Sequence, residues 1–200
     1  MRIVSHRVNT ITGVRALPHD LGAEIDVRLH HGALVCAHDP YRPGDLLEEV
    51  VAAFTVGGPR GGPLVLNPKE AGLEDILLGL LRRYHLREPH EAFLLDLSVP
   101  SLVRLTRAGE SRVAIRVSEV EPLAHAAAFA GRANWAWLDC FDGAPAALDT
   151  VTSLQAMGYR VCLVSPELQG FPAEQIAAFQ TLAAALDPDR DAVCTKHPDA

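Results

Sequence analysis

Nine short apolar runs, each closing on charged or polar residues, divide the 200-residue chain into repeating units. They read RIVSHR, AEIDVR, LVCAHD, PLVLNPK, AFLLDLS, RVAIRVSE, WAWLDCF, YRVCLVSPE and DAVCTKHPD. From the third onward, a helical pattern separates each run from the next, as in LEEVVAAF, LEDILLGLLRRY and AEQIAAFQTLAAAL. The helix near AALDTVTSLQAMG is expected to end at Gly158. Apolar strands alternating with helices imply a parallel sheet with helices outside it. Eight such units close a barrel, and an open doubly wound sheet is the competing architecture. Two features favour the barrel. His6, Asp26, His38, Lys69, Asp96, Glu119, Asp139, Glu167 and Lys196 all fall at C-terminal ends of their runs, which a barrel gathers onto one rim. The turn SHRVNT after the first run also lacks the glycines that a dinucleotide-binding sheet needs there.

The expected fold is therefore one α/β domain over residues 1–200, a small TIM-type (β/α)8 barrel of parallel strands. AEIDVR and LVCAHD meet across His31-Gly32 and predict one extra, hairpin-like strand near the N-terminus. The segment GGPRGGP at 57–63 is too short to divide domains and reads as a flexible loop.

The 48% apolar content suffices for one core. A net charge of −7 and a pI near 5.7 argue against nucleic-acid or membrane-surface binding through bulk positive charge. No apolar run approaches bilayer-spanning length. The opening MRIVSHR lacks a signal-peptide pattern, so the expected location is the cytoplasm. Cys36, Cys140, Cys162 and Cys194 stand singly in apolar runs, without zinc-ligand spacing, and are expected to be buried reduced thiols.

Chemistry concentrates in GAEIDVRLHHGALVCAHDP, residues 22–40. Glu24 and Asp26 lie two apart in a strand, hence on one face and about 7 Å apart along the chain. Like charges so placed call for a metal, a cationic partner or solvent. On a common rim they would share a pocket with His6 and His38, where hard oxygens suit Mg²⁺ or Ca²⁺. Two imidazoles flanking phosphorus can divide acid and base work. Arg7, Lys69 and Arg116 are candidates for holding phosphate oxygens. Taken singly, each residue has a plainer explanation: a solvated rim pair for Glu24 and Asp26, a turn for His38-Asp39, core packing for Trp135 and Trp137.

These residues resemble the glycerophosphodiester phosphodiesterases of the phospholipase-C-like phosphodiesterase superfamily, which are TIM barrels. The matching segments, in chain order, are His6-Arg7-Val8-Asn9-Thr10, Gly22-Ala23-Glu24-Ile25-Asp26-Val27, Val35-Cys36-Ala37-His38-Asp39, Leu66-Asn67-Pro68-Lys69 and Asp191 to Pro198. The resemblance implies acid and base roles for His6 and His38, and phosphate contacts from Arg7 and Lys69. It implies a divalent ion, Mg²⁺ or Ca²⁺, on Glu24 and Asp26, with Asn67 in the third ligand position. It also implies cleavage through a cyclic phosphate. Val8 stands where the family has glycine, Asn67 where it has a carboxylate, and the segment after the His-Asp motif is short. The expected function is a metal-dependent phosphodiesterase acting on a small glycerol- or sugar-type phosphodiester. A non-catalytic descendant that binds a phosphorylated ligand or a partner is the alternative.

Overall fold

The computed structural model describes residues 1–198. All nine apolar runs form strands: β1 (Arg2–Ser5), β2 (Leu21–His30), β3 (Ala33–Cys36), β4 (Leu64–Pro68), β5 (Ala92–Leu94), β6 (Ala114–Val117), β7 (Trp135–Leu138), β8 (Arg160–Val164) and β9 (Ala192–Thr195). Eight of them pair in parallel in the order β5-β4-β2-β1-β9-β8-β7-β6. A single Leu94–Val113 bridge, with the Leu94 N–H donating to the Arg112 carbonyl at 2.9 Å, brings β5 to the chain entering β6. The result is a nearly closed TIM-type barrel. No helix among the described residues is long and apolar enough to cross a membrane.

β3 is the extra strand. It pairs antiparallel with the outer half of β2, from Val27–Cys36 to His30–Ala33. Both residues of the intervening turn take positive φ, His31 at 49° and Gly32 at 83°, as a two-residue hairpin with right-handed twist requires.

Helices α1 (Ile11–Ala16), α2 (Leu47–Thr55), α3 (Glu74–Arg83), α4 (Val99–Arg107), α5 (Leu123–Ala127), α6 (Leu148–Ala156) and α7 (Ile176–Ala184) surround the sheet. α1 is six residues long and capped by the Thr10 hydroxyl, which accepts from the Gly13 N–H at 2.9 Å. Gly158 follows α6 at φ 90° and ends it as expected.

Strand alternation gives two cores. Ile25, Val27, Leu64, Leu66, Ile115 and Leu163 face outward onto the helices. Val4, Val65, Phe93, Trp135, Trp137 and Cys162 fill the barrel interior. Trp135 stacks on Phe93 at 4.6 Å and its indole N–H donates to the Pro89 carbonyl at 2.7 Å, so the ring is buried with its polar atom satisfied. Burying a side chain of this size contributes roughly 3 kcal/mol. All four cysteines are buried and unpaired, and burial raises each thiol above its ordinary pKa.

The segment at 57–63 is a loop, and two of its glycines are fixed by close backbone contacts. A Cβ on Gly62 would lie 2.4 Å from the Gly22 nitrogen and 2.6 Å from the Ile3 carbonyl, and one on Gly61 2.3 Å from the Asp20 carbonyl. Glycine is needed here because two backbones meet.

Candidate active site

On β2 the inward positions are Gly22, Glu24 and Asp26, while Ala23, Ile25 and Val27 face the helices. The two carboxylates therefore lie where a barrel core residue would otherwise stand, each 1% exposed. Burying two anions costs several kcal/mol unless each is paired. The neighbouring strands supply the pairing. The register Ser5–Ala23 sets His6 beside Glu24, and Asp26 pairs directly with Asn67 of β4.

Three of the four carboxylate oxygens accept a hydrogen bond, and the fourth, Asp26 Oδ1, lies in an ion pair. Glu24 Oε1 accepts from the Asn67 amide nitrogen at 3.0 Å, and Oε2 from the Arg7 backbone N–H at 2.9 Å. Asp26 Oδ1 forms an ion pair with Lys69 Nζ at 2.9 Å. Asp26 Oδ2 accepts from Asn9 Nδ2 at 2.8 Å and has Arg7 Nε at 3.7 Å. Asn9 also accepts from the Asp26 N–H at 2.9 Å, a two-way clamp. Burial, then the Asp26 charge, push the Glu24 carboxyl up to about 7. Burial acts on Asp26 in the same sense, but Lys69 and Asn9 override it and hold Asp26 below the ordinary carboxylate range.

His6, just beyond β1, is mostly buried, with Nε2 3.7 Å from Glu24 Oε2 and with Nδ1 lacking a protein partner. Burial, followed by the positive charges of Arg7 and Lys196, lowers its pKa to about 4, so the imidazole is neutral at neutral pH. Arg7 has φ 54°, a left-handed conformation that costs a non-glycine residue about 1 kcal/mol. That conformation accompanies the Arg7 N–H bond to Glu24.

His38 comes from the hairpin. The Ala37 N–H donates to the Asp26 carbonyl at 3.1 Å, and Arg28 Nε donates to the His38 carbonyl at 2.9 Å. Its Nδ1 pairs with Asp39 Oδ1 at 2.8 Å, and its side chain is 42% exposed. The bond to His38 holds Asp39 below the ordinary carboxylate range. Thus His6, Arg7, Glu24, Asp26, Asn67 and Lys69 form one linked cluster, with His38 joined to it through the backbone of Asp26.

Arg116 does not join them. Its Nη1 lies 2.9 Å from Asp139, its Nη2 pairs with Asp96, and its Nε is 3.8 Å from Glu121. Named from sequence as a candidate for a phosphate oxygen, it is the hub of three carboxylates: Asp96 and Asp139 follow the flanking strands β5 and β7, and Glu121 follows β6 itself. Glu167 is also consumed locally. Burial would raise it, but Ser165, Thr195 (Oγ1 at 2.6 Å) and the Lys196 N–H (3.0 Å) hold it low.

Sequence reasoning gave no role to Asn9 or to Lys196 in the cluster. The polar pair Asn9-Thr10 directly after His6-Arg7 was the available signal for the first. Lys196 looked like any other strand-end residue.

The metal implied by the resemblance meets a poor donor set. Mg²⁺ and Ca²⁺ take six or more oxygens, whereas Asn67 presents its amide nitrogen to Glu24, as an amide facing a carboxylate must. The Asn67 oxygen is buried without a protein partner, and Lys69 already sits on Asp26. No group of three or more His, Cys, Asp or Glu among the described residues could hold a metal ion. As arranged, these residues do not fit a divalent ion.

No protein-family model and no curated protein matches the chain. Solved structures do. A candidate glycerophosphoryl diester phosphodiesterase from Agrobacterium tumefaciens strain C58 aligns with a TM-score of 0.68 at 18% identity, covering 99% of this chain and 94% of its own. A candidate glycerophosphodiester phosphodiesterase from Galdieria sulphuraria aligns with a TM-score of 0.70 at 20% identity, covering 98% and 94%. Over nearly its whole length, the chain has the barrel fold of these two proteins.

Proposed function

We propose that the chain is a phosphodiesterase acting on a small glycerol- or sugar-type phosphodiester. The observation that carries this is the cluster itself. A neutral histidine, two buried carboxylates and two cations converge at the ends of β1, β2 and β4, with a second histidine beside them. A buried anion pair flanked by donors is expensive to assemble, and its cations match a phosphate group. The names of the two fold neighbours are consistent with this chemistry.

In this reading His6, neutral at neutral pH, takes the proton of the attacking hydroxyl. If that hydroxyl belongs to the substrate, its oxygen bonds to phosphorus, the bond to the leaving oxygen breaks, and a cyclic phosphate and an alcohol result. His38, oriented by Asp39 and open to solvent, gives the leaving oxygen its proton. Lys69 and Arg7 hold the non-bridging oxygens. Water then opens the ring by the reverse proton movements. The cytoplasmic location stays an expectation from the sequence.

The test is hydrolysis of a phosphodiester panel, from bis-(p-nitrophenyl) phosphate to glycerophospho-alcohols, beside His38→Ala. Removing one member of an acid–base pair is expected to cost roughly 10²- to 10⁴-fold in turnover while the variant stays folded. Turnover unchanged in His38→Ala would sink the proposal, and tight phosphate binding without turnover would favour the non-catalytic alternative.

A further inference from the structure

We propose that Lys69, with the Asn67 amide and Arg7, does in this chain what a divalent cation would do for a buried carboxylate pair, so that the site works without a bound metal ion. The inference deepens the phosphodiester reading, on which it rests for its ligand.

Glu24 and Asp26, when both ionised, bring two negative charges, and Lys69 at 2.9 Å and Arg7 at 3.7 Å bring two positive ones. A divalent ion on Asp26 would have to evict the Lys69 ammonium or lie within a few ångströms of it, and like charges at that separation repel strongly away from bulk water. The donors are placed to match. Asn67, directly across the ladder from Asp26, gives its N–H to Glu24. The Arg7 backbone N–H takes the other Glu24 oxygen, and Asn9 takes the second oxygen of Asp26. A third carboxylate at position 67 would oppose Glu24 and require a cation between them, whereas the amide binds Glu24 directly.

An ammonium also differs in kind from an ion. It has three N–H bonds, so Lys69 can keep Asp26 and still donate to a phosphate oxygen. It is carried by the residue that follows β4, whose backbone N–H donates to the Val27 carbonyl at 2.9 Å, so no chelator removes it.

Isothermal titration with MgCl₂, CaCl₂ and MnCl₂, together with thermal unfolding in each salt, tests this. For the wild type we expect no one-site binding heat and no specific rise in Tm. Lys69→Gln removes the ammonium from Asp26 and leaves it only Arg7 at 3.7 Å, and Asn67→Asp adds a third carboxylate at nearly constant volume. At least one of these variants should become ion-responsive, its Tm rising by about 5 °C or more when the ion exceeds Kd 100-fold. One ion bound per wild-type chain, and lost in Asp26→Asn, would overturn the proposal. So would two folded variants no more responsive than the wild type, or wild-type turnover abolished by EDTA and restored by an ion. If the wild type turns over no phosphodiester under any condition, the phosphodiester reading falls, and the titrations still decide which cation serves the carboxylates.

Discussion

The two sides of the barrel mouth solve the same problem, buried charge, in different ways. On the β6–β8 side, Arg116 is surrounded by Asp96, Asp139 and Glu121, and Glu167 is filled by Ser165, Thr195 and Lys196. Charges there are matched by side chains and, at Glu167, also by the Lys196 backbone N–H, with Gln169 adding a bond to Asp139 at 2.7 Å. On the β1–β4 side the carboxylates are also met, yet His6 Nδ1 and Asn67 Oδ1 are buried without protein partners. A saturated network holds a fold together and offers nothing to a ligand. One that leaves polar atoms open at a folding cost is better explained by something it binds.

Substitutions on each side would sharpen or break this contrast. The largest stability effect should follow Arg116→Met, which strands the buried Asp139 carboxylate among its acidic neighbours. We expect about 3 kcal/mol of destabilisation, seen as a Tm lower by roughly 10 °C, with turnover per folded molecule little changed. Selective loss of turnover in a fully stable Arg116→Met protein would mean that the saturated side is also functional.

A smaller effect, on the order of 2 kcal/mol, is expected from pH. The His6 pKa falls from 6.5 unfolded to about 4 folded. Between those values the unfolded chain binds a proton that the folded chain does not, so His6 lowers stability as pH drops through that window. Glu24 has the opposite sign, since its pKa rises from 4.5 to about 7 and stability declines as pH rises between them. Replacing His6 with Gln should remove the first slope and leave the second, giving a protein whose urea stability is better preserved at the acid end than that of the wild type. An unchanged acid limb would show that His6 is not neutral in the folded state.

The smallest effect sets the baseline. Arg83 and Glu48 pair at 2.6 Å on the outer helices, both more than half exposed. Arg83→Ala should change stability by less than about 0.5 kcal/mol, because solvent competes for both charges. A clearly larger loss by chemical denaturation would show that mere pairing matters more here than burial does.

Much of this was visible in the residues. The nine strands, the hairpin at His31-Gly32 and the grouping of His6, Glu24, Asp26, His38 and Lys69 follow from alternation and strand-end polarity, which are local properties. The partners of Arg116 were not legible, for a physical reason. As a strand-end cation it looks the same as Lys69, and only closure of the sheet decides which carboxylates flank it. Asn67 has a similar lesson. The chain shows an amide in a ligand position, but its role depends on which end faces Glu24, and that follows from the β2–β4 register. The glycines at 61 and 62 look like slack in sequence and prove to be a close backbone contact.

The seam between β5 and β6 has one further consequence. The ladder there is a single bridge, so side chains must hold much of the closure, and Trp135 of β7 stacks across it onto Phe93 of β5. The only other tryptophan, Trp137, stands two residues along the same strand, also inside. Tryptophan fluorescence from this molecule therefore originates beside its one single-bridge join. Light emitted at that seam reports whether the cylinder is shut, and it is nearly blind to the helices outside.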